Sequence, residues 1–205
     1  DKVEIENILG FMLKITFLAA LMVILISAFL PAIAGRLYGN SFIGVYAAIV
    51  VIATVFSSLF FTLAYSSFQV TGRVKSLGLL ILSDQSLRYV LSLIFVFIGF
   101  GVSGAVSGQL AGAIIIFMVS VFLFNNLTKR ESIFPGLSRL MSVARKVDVK
   151  KYLGFTFWVA LDRNMGNVYM ALPVILTGIY VSASEVSFFK LAFGYMNLVL
   201  SLLGS

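Results

Sequence analysis

Six ionisable side chains lie inside apolar stretches of this sequence, namely Lys14, Asp84, Arg88, Asp162, Arg163 and Lys190. Each such charge costs about 2.5–3.5 kcal/mol at the centre of a bilayer. Charges of this kind face the interior of a helix bundle or an aqueous cavity, and so they mark candidate binding and coupling sites. Lys14 is an exception, because it lies near a helix start from which its ammonium group reaches the membrane surface.

One group of these charges forms a polar stripe on an apolar helix. Asp84, Arg88 and Ser92 recur every four residues, with Gln85 close to the same side. Asp84 and Arg88 are i, i+4 neighbours and are able to pair. The stripe therefore predicts either a site for a polar ligand or an internal ion pair that holds the bundle together.

The other intramembrane charges lie on two later helices. Asn167 shares a helix face with Arg163, and Asn197 shares one with Lys190. Asp162 points about 100° away from Arg163, since each helical residue advances by 1/3.6 of a turn. The two adjacent charges therefore need different partners.

The charges that remain when Lys14 is set aside are three cations and two anions. At 1.5 Å per residue, Arg88 and Arg163 each lie about 15 Å deep. That depth is near the midplane of a hydrocarbon core about 30 Å thick. A cavity with excess positive charge suits an anionic solute, and paired arginines suit phosphate.

The composition excludes an ordinary soluble domain. Of the 205 residues, 60% are hydrophobic and 11% are charged, against about 45–50% and 25% in globular proteins. The absence of Cys and His removes disulfides, thiol chemistry and the commonest transition-metal ligand. We therefore predict no catalytic residues, no metal site and no cofactor.

The chain is predicted to be an all-α integral membrane protein with six transmembrane helices, because a span needs about 20 mostly apolar residues. The six segments are 11–30, 42–65, 77–98, 105–125, 153–180 and 186–204. A basic loop at 126–152 separates the first four from the last two. Since no initiator Met is present and the chain stops within an apolar run, we expect a fragment of a longer protein.

Basic residues are distributed unevenly between the two sides that alternating helices define. Segments 1–10, 66–76 and 126–152 carry ten basic residues on one side, whereas the other side has only Arg36. By the positive-inside rule, both ends of the chain and the 126–152 loop are predicted to be cytoplasmic.

The basic loop contains an amphipathic pattern. Leu137, Leu140, Met141, Ala144 and Val147 fall at helical spacing, which predicts a helix on the inner leaflet, with membrane lipids as partners. The alternative is that the charges only fix topology. Nucleic-acid binding is not expected, because no aromatic residues are interleaved with the charges.

Small residues mark the fourth predicted span. Gly104, Gly108 and Gly112 are four apart, a spacing that allows helix backbones to approach closely. We predict a packing face here.

Several short segments together resemble one transporter family. The segments are Leu161-Asp-Arg163, Gly178-Ile-Tyr180, Phe188-Phe-Lys-Leu-Ala192, Tyr195-Met-Asn-Leu198, Gln69-x-x-Gly72-Arg73 and Gly99-x-Gly101-x-x-Gly104. Their order and spacing, with the basic loop between the fourth and fifth spans, resemble the oligosaccharide and O-antigen flippases. These belong to the multidrug/oligosaccharidyl-lipid/polysaccharide exporter superfamily.

The resemblance implies a two-lobed bundle of twelve or fourteen helices, of which these six would be the third to the eighth. Residues 1–125 would end the N-terminal lobe, 126–152 would connect the lobes, and 153–205 would begin the C-terminal lobe. Such a protein moves an undecaprenyl-pyrophosphate-linked oligosaccharide across the bacterial inner membrane by alternating access, for O-antigen, capsule or exopolysaccharide export.

The resemblance also implies roles for the binding residues. Arg88 and Arg163 would hold the pyrophosphate or acidic sugars, while Asn167, Lys190 and Asn197 would line the sugar path.

Coupling and partners follow from the same resemblance. Asp84 and Asp162 would couple transport to a proton or sodium gradient, or form salt bridges that break between states. The polysaccharide polymerase and chain-length machinery would be protein partners.

Three alternatives remain open. A drug or cation exporter of the same superfamily would need acidic excess in its cavity. A membrane enzyme acting on polyprenyl phosphates would need a larger extramembrane site than the short outer loops provide. An inert scaffold in a polysaccharide-assembly complex would gain little from buried charge stripes.

Overall fold

The computed structural model describes residues 2–131 and 133–203, and its account of side chains excludes 155–156, 159–160, 163–164, 167, 170, 183 and 197–203. Within that part of the chain, residues form helices and short connections, and no strand is present. The predicted all-α class is confirmed. Two compact units are distinguished, one of residues 1–36 and 40–149, the other of 37–39 and 150–205.

The helices are long and closely spaced along the chain. They are α1 (Lys2–Ser27), α2 (Leu30–Tyr38), α3 (Ser41–Val70), α4 (Val74–Phe95), α5 (Gly101–Arg130), α6 (Leu137–Lys146), α7 (Val149–Tyr180) and α8 (Ala183–Leu203). A wide π-helical turn, Val96–Phe100, joins α4 to α5. Each segment predicted to span the membrane is mostly helical.

Among the residues that the structure describes, three helical stretches are long and apolar enough to cross a membrane: Lys2–Ser27, Ser41–Val70 and Val74–Arg130. The first four predicted spans lie largely within them. In the part of the second unit that the structure describes, the apolar stretch found is the shorter Ala171–Tyr180. The count of six spans therefore stays a prediction.

The 57-residue stretch Val74–Arg130 folds back on itself. Gly99 has φ 105° and Gly101 has φ 57°, values that side chains with a Cβ rarely adopt. The chain reverses there, and Ser92 Oγ on α4 donates a hydrogen bond to Ala105 O on α5 at 2.9 Å. α4 and α5 thus form an antiparallel hairpin.

The glycines of α5 pack against the backbone of α4. A methyl group added at Gly108 would overlap the backbone of Ser92, and one at Gly112 would lie 2.9 Å from Arg88 Cα. One at Gly104 would meet α4 equally closely. The predicted packing face is confirmed.

An apolar core of the first unit lies at one end, where α1, α3, α4, α5 and α6 meet. Its buried members are Leu9, Leu63, Ala64, Phe68, Leu80, Phe124, Leu127, Phe134 and Leu140. They come from the start of α1, the end of α3, the start of α4, the end of α5 and the segment that follows. The basic segments next to these helix ends are therefore held at the same end of the unit.

The second unit contains most of α7 and α8. Pro173 lies inside α7, where it lacks the N–H that an interior helical residue donates. Thr177 Oγ1 donates to Pro173 O at 2.7 Å. At the start of α8, Ser182 N–H donates to Glu185 Oε2 at 2.9 Å, and Ser182 Oγ lies 2.7 Å from the same oxygen. Glu185 N–H in turn donates to Ser182 Oγ at 3.4 Å, and this reciprocal arrangement is a capping box.

Candidate functional site

The strongest candidate site is a largely buried ion pair on α4 that also bonds a hydroxyl of α3. Arg88 Nε donates to Asp84 Oδ1 at 2.7 Å, one helical turn earlier. Arg88 Nη2 donates to Ser57 Oγ on α3 at 2.5 Å. The side chains of Arg88 and Asp84 are only 13% and 14% exposed. A guanidinium, a carboxylate and a hydroxyl are thus brought together within an apolar layer of helices.

Packing from α5 holds this cluster in place. Because Gly112 has no side chain, the α5 backbone lies directly against Arg88. On the next turn of the stripe, Ser92 bonds the α5 backbone. Asp84 also accepts a hydrogen bond from Gln85 Nε2 at 3.4 Å. The polar stripe therefore faces helices α3 and α5, as expected for charges in an apolar layer.

The charge of the cluster is balanced. Arg88 is predicted to hold an anion, yet in this arrangement its guanidinium is already paired with Asp84 and bonded to Ser57. The geometry is that of the internal ion pair that the i, i+4 spacing allows. An anion would have two ways to bind Arg88. It would either displace Asp84, or bind the N–H donors of the guanidinium that Asp84 does not use.

The remaining candidate residues belong to the second unit. Asp162 is exposed on α7, and Lys190 is exposed on α8, both in the second unit. Lys190 lines a shallow depression of about 490 Å³ with Ser187 and Tyr195 on the same helix. The side chains of Arg163, Asn167 and Asn197 lie outside the described residues.

Sequence reasoning did not identify Ser57 as a member of the site. It lies in an α3 segment without charges, 31 residues before its partner Arg88, and it is 2% exposed. The signal that could have found it is a hydroxyl in the middle of an uncharged predicted span.

A second polar assembly fastens α6 to the first half of α1. Arg139 Nη2 lies 2.8 Å from Glu6 Oε2, and a methyl group at Gly10 would lie 3.2 Å from Ala144 N. Lys14 Nζ donates to the carbonyl of Val147 at 3.1 Å. Because these contacts advance in the same direction on both segments, α6 runs parallel to α1.

The predicted amphipathic helix is present as α6, and its apolar face is covered by protein. Leu140 and Ala144 are buried, and Val147 after the helix is buried too, whereas Met141 is exposed. The inner-leaflet position of α6 stays a prediction. The ammonium group of Lys14 bonds the carbonyl of Val147, which follows α6, and its predicted position at the membrane surface stays a prediction.

The basic segments converge at one end of the first unit. Arg73, after α3, pairs with Glu131, after α5, at 2.5 Å. Arg139 and Glu6 join two further segments at this end. The three segments predicted to share a side, 1–10, 66–76 and 126–152, are therefore held together.

The described part of the chain is all-helical, with apolar stretches of the length and composition typical of membrane spans, and its first unit encloses an Arg–Asp–Ser cluster. No family model, curated protein or solved structure matches the chain.

Proposed function

We propose that this chain is part of a flippase that moves an undecaprenyl-pyrophosphate-linked oligosaccharide across the bacterial inner membrane by alternating access. The observation that carries the proposal is the Arg88 guanidinium inside an apolar helical layer. A desolvated guanidinium binds phosphate strongly, because its planar fork matches two phosphate oxygens. The order of the short segments that resemble the oligosaccharide flippases supports the same function.

The Asp84–Arg88 pair supports a switching role in this mechanism. In the arrangement described, Asp84 and Ser57 occupy the guanidinium. Pyrophosphate would compete with Asp84 for Arg88, so binding would release the carboxylate. In this proposal the released carboxylate is the group that couples the proton or sodium gradient to the transport cycle.

The remaining parts of the proposal follow the resemblance. The described helices would belong to a two-lobed bundle of twelve or fourteen, with residues 126–152 connecting the lobes on the cytoplasmic side. Arg163 would share the pyrophosphate with Arg88. Asn167, Lys190 and Asn197 would line the sugar path, and Asp162 would act with Asp84 in coupling or gating. The polysaccharide polymerase and chain-length machinery would act on the product.

The test is deletion of the gene, followed by analysis of polyprenyl-linked lipids and complementation with variants. We expect complete oligosaccharide repeat units to accumulate on the cytoplasmic leaflet while surface polysaccharide is lost. Arg88→Gln should fail to complement, and Arg88→Lys should restore little, because an ammonium group lacks the bidentate fork.

The matched control is Lys75→Gln, which removes an exposed basic residue and should complement fully at equal protein levels. Unchanged polyprenyl-linked lipids in the deletion strain would refute the proposal. If that strain instead becomes sensitive to cationic drugs, the chain belongs to a drug exporter.

A further inference from the structure

Two adjoining pockets lie on the surface of the first unit, beside α6. The first is an apolar groove of about 560 Å³ between α1, α3, α5 and α6. Its walls include Leu13, Phe17, Leu59, Phe60 and Phe117. Its volume is in the range of about 300–1,000 Å³ that is usual for sites of small ligands.

The second pocket is polar and basic. It has a volume of about 450 Å³ and is lined by Ser138, Met141, Ser142, Arg145 and Lys146. Met141 and Arg145 line both pockets, so the two adjoin at α6. An apolar groove thus lies next to a pocket with hydroxyl and cationic groups.

The cations at this junction are available to a ligand. Arg145 and Lys146 are exposed, and within the described residues no carboxylate pairs with either of them. Lys14 also lines the apolar groove. Its Nζ donates one N–H to Val147 O, which leaves the other two N–H groups for a ligand and holds the ammonium group at the residue that follows α6.

Most of the groove is built from apolar helices. Seven of its ten lining residues lie on stretches that are long and apolar enough to cross a membrane, and the other three lie on α6. Phe17 is 60% exposed, and we expect this side of the groove to meet lipid. Lys14 lies one turn before Phe17 on α1, so the cations are at the end of the groove nearest the basic segments. An anionic amphiphile likewise has a long apolar part next to a charged head group, so it matches an apolar groove that ends at cations.

We propose that this junction is a binding site for an anionic glycerophospholipid of the surrounding membrane. An acyl chain lies along Leu13, Phe17, Phe60 and Phe117, and the phosphate binds Lys14 and Arg145, with Lys146 and Ser142 as further donors. The bound lipid covers the outer face of α6 and stabilises the contact of α6 with α1. This site is separate from the Arg88 cluster and does not depend on the proposed transport function.

The test is native mass spectrometry of the purified protein after exchange into mixed micelles that contain equal amounts of phosphatidylglycerol and phosphatidylcholine. We expect the protein to retain phosphatidylglycerol preferentially. Arg145→Gln/Lys146→Gln should lower the affinity for phosphatidylglycerol about tenfold, because charge-assisted hydrogen bonds are lost. Both residues are exposed, so this variant should fold normally.

The matched control is Lys75→Gln/Lys129→Gln, which removes the same charge from exposed positions outside both pockets and should leave retention unchanged. Leu59→Trp, which fills the groove, should reduce retention of both lipids. Equal retention of the two lipids by the unmodified protein would overturn the proposal, as would an equal effect of the control. Retention unaffected by Leu59→Trp would also overturn it, and so would a dimer of the chain found to occupy the groove instead of lipid.

Discussion

At the scale of single residues, the cost of a charge in an apolar layer is met by local partners. Arg88 bonds a carboxylate on its own helix and a hydroxyl on α3. Removing one member of a buried pair is more damaging than removing both, since the remaining charge loses its compensation. The pair therefore behaves as a unit.

This coupling predicts a strongly non-additive double-mutant cycle. Asp84→Asn and Arg88→Met should each lower the free energy of unfolding by about 3 kcal/mol, near the low end for buried pairs because both side chains keep slight exposure. The double variant should lose at least about 1 kcal/mol less than the sum of the two. The measurement is reversible unfolding of the purified protein in detergent. Strict additivity would show that the pair is not coupled.

Of the two contacts that Arg88 makes in this cluster, the sequence predicts the one with Asp84. Asp84 and Arg88 are one helical turn apart, so their pairing follows from local spacing alone. The bond from Arg88 to Ser57 joins residues 31 positions apart, and it depends on which face of α3 meets α4. No local pattern specifies that choice, because α3 is apolar around most of its circumference.

At the scale of helices, glycine spacing predicts contact where apolar periodicity cannot. The four-residue spacing of Gly104, Gly108 and Gly112 indicated a close approach, and the α4–α5 hairpin has it. A helix break lies inside the predicted span 11–30, because α1 ends at Ser27 and α2 begins at Leu30. Pro31 favours this break, since it has no N–H to donate to the Ser27 carbonyl.

The hairpin predicts opposite effects for two identical substitutions. Gly108→Ala should destabilise the protein by about 1–3 kcal/mol, because its methyl group would overlap the backbone of Ser92 and force the helices apart. Gly78→Ala, on the open side of α4, should be neutral or stabilise by up to about 1 kcal/mol. Thermal unfolding of both variants measures this difference, and shifts of equal sign and size would contradict the close packing.

The capping box at the start of α8 predicts a pH effect. Hydrogen bonds from the Ser182 hydroxyl and backbone N–H lower the pKa of Glu185 below its usual value. The box therefore stabilises the helix start fully above the ordinary glutamate pKa. Its contribution is lost as the pH falls through the lowered pKa. Carboxyl chemical shifts recorded against pH should report this low pKa, and Ser182→Ala should return it towards the usual value. If the pKa of Glu185 is unchanged in Ser182→Ala, the Ser182 hydroxyl is not the cause of its lowering.

At the scale of the whole molecule, distant segments of the first unit are joined at one end. The contacts of α6 with α1 link residues 133 positions apart, and Arg73 pairs with Glu131. Alternation of helices predicted that these basic segments share a side. Alternation does not predict that α6 runs along α1, because the apolar face of α6 suits a lipid surface or a protein surface equally well.

The docking of α6 predicts a specific crosslink. Since the chain has no cysteine, Gly10→Cys/Ala144→Cys introduces a single pair, and the close approach at these positions is within disulfide reach. Oxidation should give an intramolecular disulfide, visible as a mobility shift that reductant reverses. Gly10→Cys/Arg145→Cys, whose second position lies on the exposed face, should not form it. Equal crosslinking of both pairs would show that α6 is not held in this register.

The most direct test of the central claim is lipid translocation by the purified protein in vesicles. A labelled undecaprenyl-pyrophosphate-linked oligosaccharide is placed in one leaflet, and its exposure to a lectin on the other side is followed over time. We expect exposure much faster than in protein-free vesicles, and much slower with Arg88→Gln than with Lys75→Gln. Exposure at the protein-free rate, in vesicles whose protein is folded, would contradict the proposed flippase function.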